Sequence, residues 1–193
     1  YRKEFLDRLR DTSDKTSSSR IDSQGAEDKE PFPSLQQFAR GQTAQLSYCG
    51  ARNDTIALDA YQKAGMTGFS NKAWQAELHH RLGMAWEAKG DLEKAKSELL
   101  QSLSIRQNSP EVLNNLGAVY VKLGDKASAL ASFEKAVTLR PNYAIARYNL
   151  AEAFYTRFKQ SQDPEDERRG DLHCEAALAA PASDSNPAAV EAA

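Results

Sequence analysis

The sequence has little cysteine, no excess of charge of either sign and no long apolar run. Its 193 residues include two cysteines, Cys49 and Cys174. They stand far apart and in no metal-ligand spacing, so neither a disulfide scaffold nor a metal site is implied. Lys and Arg number 25 against 27 Asp and Glu, a formal charge of −2. Neutralising phosphates needs a clear basic excess, so neither nucleic acid nor an anionic membrane is an expected partner. No run of 18 apolar residues exists to span a bilayer. A signal-peptide pattern is also missing, which favours the cytoplasm, although the start at Tyr1 instead of Met leaves an upstream signal, anchor or further domain open. A Gly-rich phosphate loop, a nucleophile elbow and a paired catalytic motif are absent too. The expectation is therefore a non-enzyme without a cofactor.

What the sequence does contain is a copy of itself at a spacing of 34. Leu82-Gly83 recurs as Leu116-Gly117 and as Leu150-Ala151; Trp86 recurs as Tyr120 and Phe154. Gly90 returns at Gly124, Ala95 at Ala129, Leu99 at Phe133, Leu103 at Val137 and Ile105 at Leu139. A fixed period of this length signals a solenoid, in which each unit buries its apolar face only against its neighbours.

The apolar spacing within the period is helical. In Ala73 to Lys89, Trp74, Leu78, Leu82, Ala85 and Trp86 fall at steps of three and four. Gly90-Asp91 stops that helix and caps the next, which runs from Leu92 to Arg106. Glu111 to Leu123, Gly124-Asp125 and Lys126 to Leu139 repeat the arrangement, and Pro141 prevents continuation. A further helix is expected from Ala144 to Phe158. Short turns between helices of this length make antiparallel hairpins, hence stacked helical pairs.

Leu113-x2-Leu116-Gly117-x2-Tyr120, followed by Ala129-x3-Phe133 and Pro141, resembles the tetratricopeptide repeat, with Leu113 where Trp often stands. Residues 76–109 match less fully, with His79 in the Trp place and Gln107 in the Pro place. The resemblance implies an all-α, right-handed superhelix, an α-solenoid of antiparallel helix pairs. Ala57 to Ala64 parallels Ala129 to Ala136 at an offset of 72, which marks a degenerate leading unit at 38–71 with Tyr48 in the Tyr120 place. Gly170-Asp171-Leu172 resembles Gly90-Asp91-Leu92, so a charged insertion over 159–169 and a short helix would complete an interrupted unit at 144–180. The repeat domain then spans 36–180. Residues 1–35 read as linker, with a short amphipathic stretch at Tyr1 to Asp11 that carries Phe5, Leu6 and Leu9; residues 181–193 read as a disordered tail.

In this family the first helix of each pair lines a concave groove. The resemblance then places His80, Arg81, Met84 and Glu87 in the groove from one unit, Asn114, Asn115, Ala118 and Lys122 from the next, and Tyr148, Asn149, Glu152 and Tyr155 from the third. Asn115 and Asn149 are 34 apart, and a ladder of carboxamides suits an extended peptide because each can donate to and accept from a backbone amide. The alternative is that these residues only solvate a helix face. Co-chaperone members of the family hold a partner's C-terminal carboxylate with Lys, Asn and Arg at set places. Here those places hold His80, Met84, Asn115, Ile145 and Asn149, of which only Asn115 agrees. Without the cations the charge-assisted bonds to a carboxylate are missing.

The remaining candidates are weaker. His79 and His80 point about 100 degrees apart on a helix and do not share a metal easily. His173-Cys174-Glu175 is a weak metal signal, the charged run from Asp163 to Arg169 reads as solvated, and Arg169-Gly170-Asp171 reads as a helix turn and not as an adhesion tripeptide. The expected function is a non-catalytic adaptor or assembly scaffold that binds a peptide or partner helix in the groove. Self-association through an exposed repeat end is a second route to a protein partner. The alternative is a targeting or regulatory domain of a larger enzyme, such as a glycosyltransferase or methyltransferase. Direct nucleic-acid binding is disfavoured because Glu87 and Glu152 interrupt any basic groove.

Overall fold

The structure, a computed structural model, describes residues 32–46 and 53–180. The expected helix at Tyr1 to Asp11, the tail at 181–193, and Tyr48 and Cys49 lie outside the described residues. Eight helices make up the described residues, with no strand among them: α1 (Phe32–Leu46), α2 (Asp54–Thr67), α3 (Lys72–Ala88), α4 (Leu92–Ile105), α5 (Pro110–Leu123), α6 (Lys126–Leu139), α7 (Ala144–Ser161) and α8 (Pro164–Leu178). They pack as four hairpins, α1 with α2, α3 with α4, α5 with α6 and α7 with α8, and each hairpin rests on the next.

The turns follow from local chemistry. Gly90 and Gly124 adopt φ of 82° and 80°, the left-handed region in which only glycine is unstrained. The aspartate after each glycine caps the next helix: Asp91 accepts from the Lys94 N–H at 3.3 Å and Asp125 from the Ser128 N–H at 3.1 Å. Asn53, Asn71 and Asp163 cap α2, α3 and α8 in the same way.

Within a hairpin, a glycine on the first helix admits a large side chain from the second. A Cβ on Gly117 would lie 2.5 Å from the Phe133 ring, and one on Gly83 would lie 2.7 Å from Leu99. Phe133 and Leu99 are consequently sealed, at 2% and 0% exposure. Between hairpins, Leu113, Val137, Tyr143, Ala146, Leu150 and Phe154 join α5, α6 and α7 into one core. Removing this much apolar surface from water is the main stabilisation of each joint.

The two outer hairpins depart from the sequence reading. The first helix begins at Phe32, inside the stretch 1–35 read as linker. Pro33 fits a first helical turn, and Ser34, fully buried, donates its hydroxyl to the Gly68 carbonyl at 2.6 Å and lies 2.7 Å from Thr67 Oγ1. Gly41 meets the Tyr61 ring as Gly117 meets Phe133, which fixes the register. The separation is 20 residues in this hairpin against 16 in the next two, so four extra residues lie in its turn, and another four lengthen the start of α3. The Tyr120 place is thus held by Ala44, and not by Tyr48 as the constant offset suggested.

The last hairpin has no looped insertion. α7 runs on to Ser161, and α8 starts at Pro164 after two residues. Arg169-Gly170-Asp171 lies inside α8, so its likeness to the Gly90-Asp91 turn was misleading. Gly170 serves packing: a Cβ there would lie 2.7 Å from the Tyr155 ring. The polarity of the joint is reversed, because the glycine now stands on the second helix and the aromatic on the first. Nor is the charged run all solvated. Asp166 is 3% exposed and accepts from Arg157 Nε at 2.8 Å, with a second bond from Arg157 Nη2. Those bonds hold its carboxyl below the usual range.

Candidate functional site

The faces of α3, α5 and α7, where the groove is expected, carry polar residues that are mostly engaged with one another. Asn115 Nδ2 lies 2.8 Å from His80 Nε2; Asn149 Nδ2 donates to Asn114 Oδ1 at 2.8 Å; Lys122 donates to Glu87 at 2.8 Å. Each pair is 35 residues apart, which is one repeat plus one position. On the second helices Arg169 and Glu134 repeat the same step at 3.3 Å. These pairs form rungs that cross from one hairpin to the next.

The rungs decide which groove residues are open to a partner. His80 and Asn114, both expected on the groove surface, are buried at 7% and 5%. Asn115 and Asn149 each bond to the preceding repeat, through His80 and Asn114: a buried polar group is costly unless bonded, and the adjoining repeat supplies the partner. Arg81 is held by Glu77 at 2.7 Å. Burial would raise the Glu77 carboxyl, yet the neighbouring His80 and Arg81 side chains override it and hold the group at about 2. Tyr155 donates to Asp171 at 2.7 Å; that bond to a carboxylate pushes its hydroxyl up to about 12.

The exposed part of the groove lies further along. Val121 and Tyr148 are each 54% exposed, and Lys122 and Glu152 face solvent. Ala118, Val121, Ala129, Phe133 and Ala153 form the apolar lining of a cavity of about 330 Å³ between α5, α6 and α7, with Lys122, Lys126, Asn149, Glu152 and Thr156 around it. A second cavity of about 440 Å³ is bounded by Asp54, Met84, Glu87, Ala88 and Lys122. Val121 and Ala118 were the weakest signals in the sequence, because their only mark is an apolar residue at a position that the core does not need.

The other candidates have structural partners. His79 bonds Glu98 on α4 at 2.7 Å. His173 stacks on Phe154 with ring centroids 5.8 Å apart and lies 3.3 Å from Arg147. Its ring is pushed toward the neutral form by burial, then by Arg147 and Arg169. No group of three or more potential metal ligands occurs among the described residues, and none of the described helices is long and apolar enough to cross a membrane.

Comparison with known proteins agrees with this geometry. Residues 110–143 match one family model of the tetratricopeptide repeat, and residues 76–109 match another. The two segments adjoin and cover α3 to α6. Residues 76–143 are thus two adjoining tetratricopeptide repeats at the centre of the chain. Similar solved structures include MamA, with a TM-score of 0.61 and 16% identity over 75% of this chain and 76% of that one. The Arabidopsis OM64 TPR domain has a TM-score of 0.56 and 18% identity, covering 62% of this chain and 93% of that one. The first TPR of Spaghetti (RPAP3), bound to the HSP90 peptide SRMEEVD, has a TM-score of 0.56 and 17% identity, covering 64% and 92%. At such identities the likeness concerns the all-α solenoid fold.

Proposed function

We propose that this chain is a non-catalytic protein-binding module whose concave face holds a peptide or a partner helix. The observation that carries this reading is the cavity beside Val121. It is apolar at its base, polar at its rim, and within the size range of sites that hold a side chain or small ligand. Lys126 and Glu152 stand on opposite sides of it, on α6 and α7, and can orient a segment that carries both charges. The HSP90 peptide in the RPAP3 structure offers an acidic end. In this chain His80 is buried, Asn115 is engaged by His80, and the remaining matching places lack a cation. An apolar anchor with mixed flanking charge therefore fits better than an acidic tail.

Replacing the groove asparagines is a poor test, because it removes rungs between repeats. Val121 is a better one, being exposed and outside the core. A random peptide library panned on the full chain is expected to yield binders that lose at least tenfold in affinity with Val121→Asp. The same binders should be unaffected by Met66→Asp on another face. Binders insensitive to Val121→Asp would reject the groove.

A further inference from the structure

A third cavity lies away from the groove, at the joint between the first two hairpins. It has a volume of about 560 Å³ and is enclosed by the last turn of α2, the loop at 68–69 and one face of α3. Leu78, Leu82 and Phe69, each below 8% exposure, form its apolar base, and Met66 stands at its lip at 86% exposure. Its rim is polar but already engaged: Gln75 Nε2 donates to the Phe69 carbonyl at 2.6 Å, and His79 bonds Glu98. What the cavity offers an occupant is apolar surface with few free polar groups, a site for hydrophobic side chains and not for an ion or an extended backbone.

The geometry points to an occupant from the same chain: the segment at residues 1–11, seated through Phe5, Leu6 and Leu9. The chain enters α1 at Phe32, and two residues later the Ser34 hydroxyl bonds the Gly68 carbonyl, in the cavity wall. Everything N-terminal to Phe32 is therefore tethered at the cavity. Twenty residues, 12–31, separate that point from the apolar trio. A polar linker of that length has a root-mean-square span of about 25 Å, enough to fold back, and a short tether holds its end at an effective concentration of order millimolar. The other segments of the chain fit worse. Residues 47–52 join the opposite ends of α1 and α2, and the largest apolar side chain in 181–193 is Val190. The loop at 68–71 is as long as those at 106–109 and 140–143, but α3 begins four residues earlier relative to its packing glycine than α5 does, and Gln75 in that added turn lines the cavity beside Gly68 and Phe69.

The test uses the full chain at about 1 μM with a photo-crosslinking benzoylphenylalanine in place of Leu6. The expected product is an internal crosslink in the monomer band that maps to residues 62–82. Met66→Asp, at an exposed position that does not endanger folding, should lower its yield at least fivefold, as should Phe5→Asp. Val121→Asp in the concave groove should leave it unchanged. A crosslink found only in a dimer band would overturn the proposal in favour of a second copy. A crosslink that maps to the groove, one insensitive to Met66→Asp, or no crosslink at all would overturn it outright.

Discussion

The central hairpins and the last one solve the same packing problem with opposite polarity. In α3–α4 and α5–α6 the first helix supplies a glycine and the second a large side chain, which is sealed from water. In α7–α8 the glycine is on the second helix, and the aromatic that covers it, Tyr155, is only half-buried and bonded to Asp171. The middle of the stack is thus held by interlocking apolar volume. Its end relies more on a charged lattice, in which Arg157 grips Asp166 and Arg169 reaches Glu134. A solenoid end must meet water on one side, and a helix as polar as α8 can do so while covering Phe154 with His173 and Arg169.

Truncating the two aromatics should separate these regimes most strongly. Phe133→Ala empties a sealed site and is expected to cost about 3–5 kcal/mol. Tyr155→Ala should cost well under half of that, as read from urea midpoints of the two variants. Equal losses would mean that the end is packed like the centre.

The glycines give the next largest contrast. Gly117→Ala forces a methyl into a fixed Phe133 ring, an overpacking expected to cost about 1–3 kcal/mol. For Gly170→Ala the ring can swing toward solvent, and alanine gains about 1 kcal/mol of helix propensity. Its melting temperature should stay within a few degrees of the parent chain, whereas Gly117→Ala should fall clearly below it.

The smallest of the three effects concerns the joint between the regimes. Asn149→Ala leaves the buried Asn114 amide without its partner, a loss of about 1–2 kcal/mol in the chemical-denaturation midpoint. Asn115→Ala should cost a similar amount, because it strands the buried His80 Nε2 in the same way.

The centre was legible in the sequence because each of its helices obeys one period. Gly83 and Gly117, Gly90 and Gly124, and Asp91 and Asp125 all recur at 34, and recurrence reveals what a single residue does not. The ends were misread where a local motif was trusted beyond that period. Gly170-Asp171 copies a turn in composition, but Pro164 and the Asp163 cap start the helix earlier and carry it through that site. Tyr48 was placed by an offset that holds for α2 but not for α1. On the first-helix face the structure pairs Asn115 with His80 and Asn149 with Asn114, a use that the sequence did not show. Sequence spacing brought Asn115 and His80 near each other, but only packing tells whether an amide faces a partner protein or the next repeat. Val121 escaped notice because exposure, not residue type, makes it distinctive.

The rungs also bear on how the molecule would respond to tension. They bridge first helices that share few other contacts, while the apolar joints run between the second helix of one hairpin and the first of the next. Drawn out by its ends, the stack would first open along the His80–Asn115, Glu87–Lys122 and Asn114–Asn149 line. Each hairpin would keep its own fold meanwhile. The same line would close again as load fell, so it behaves as a zip whose teeth are polar and whose backing is the apolar spine.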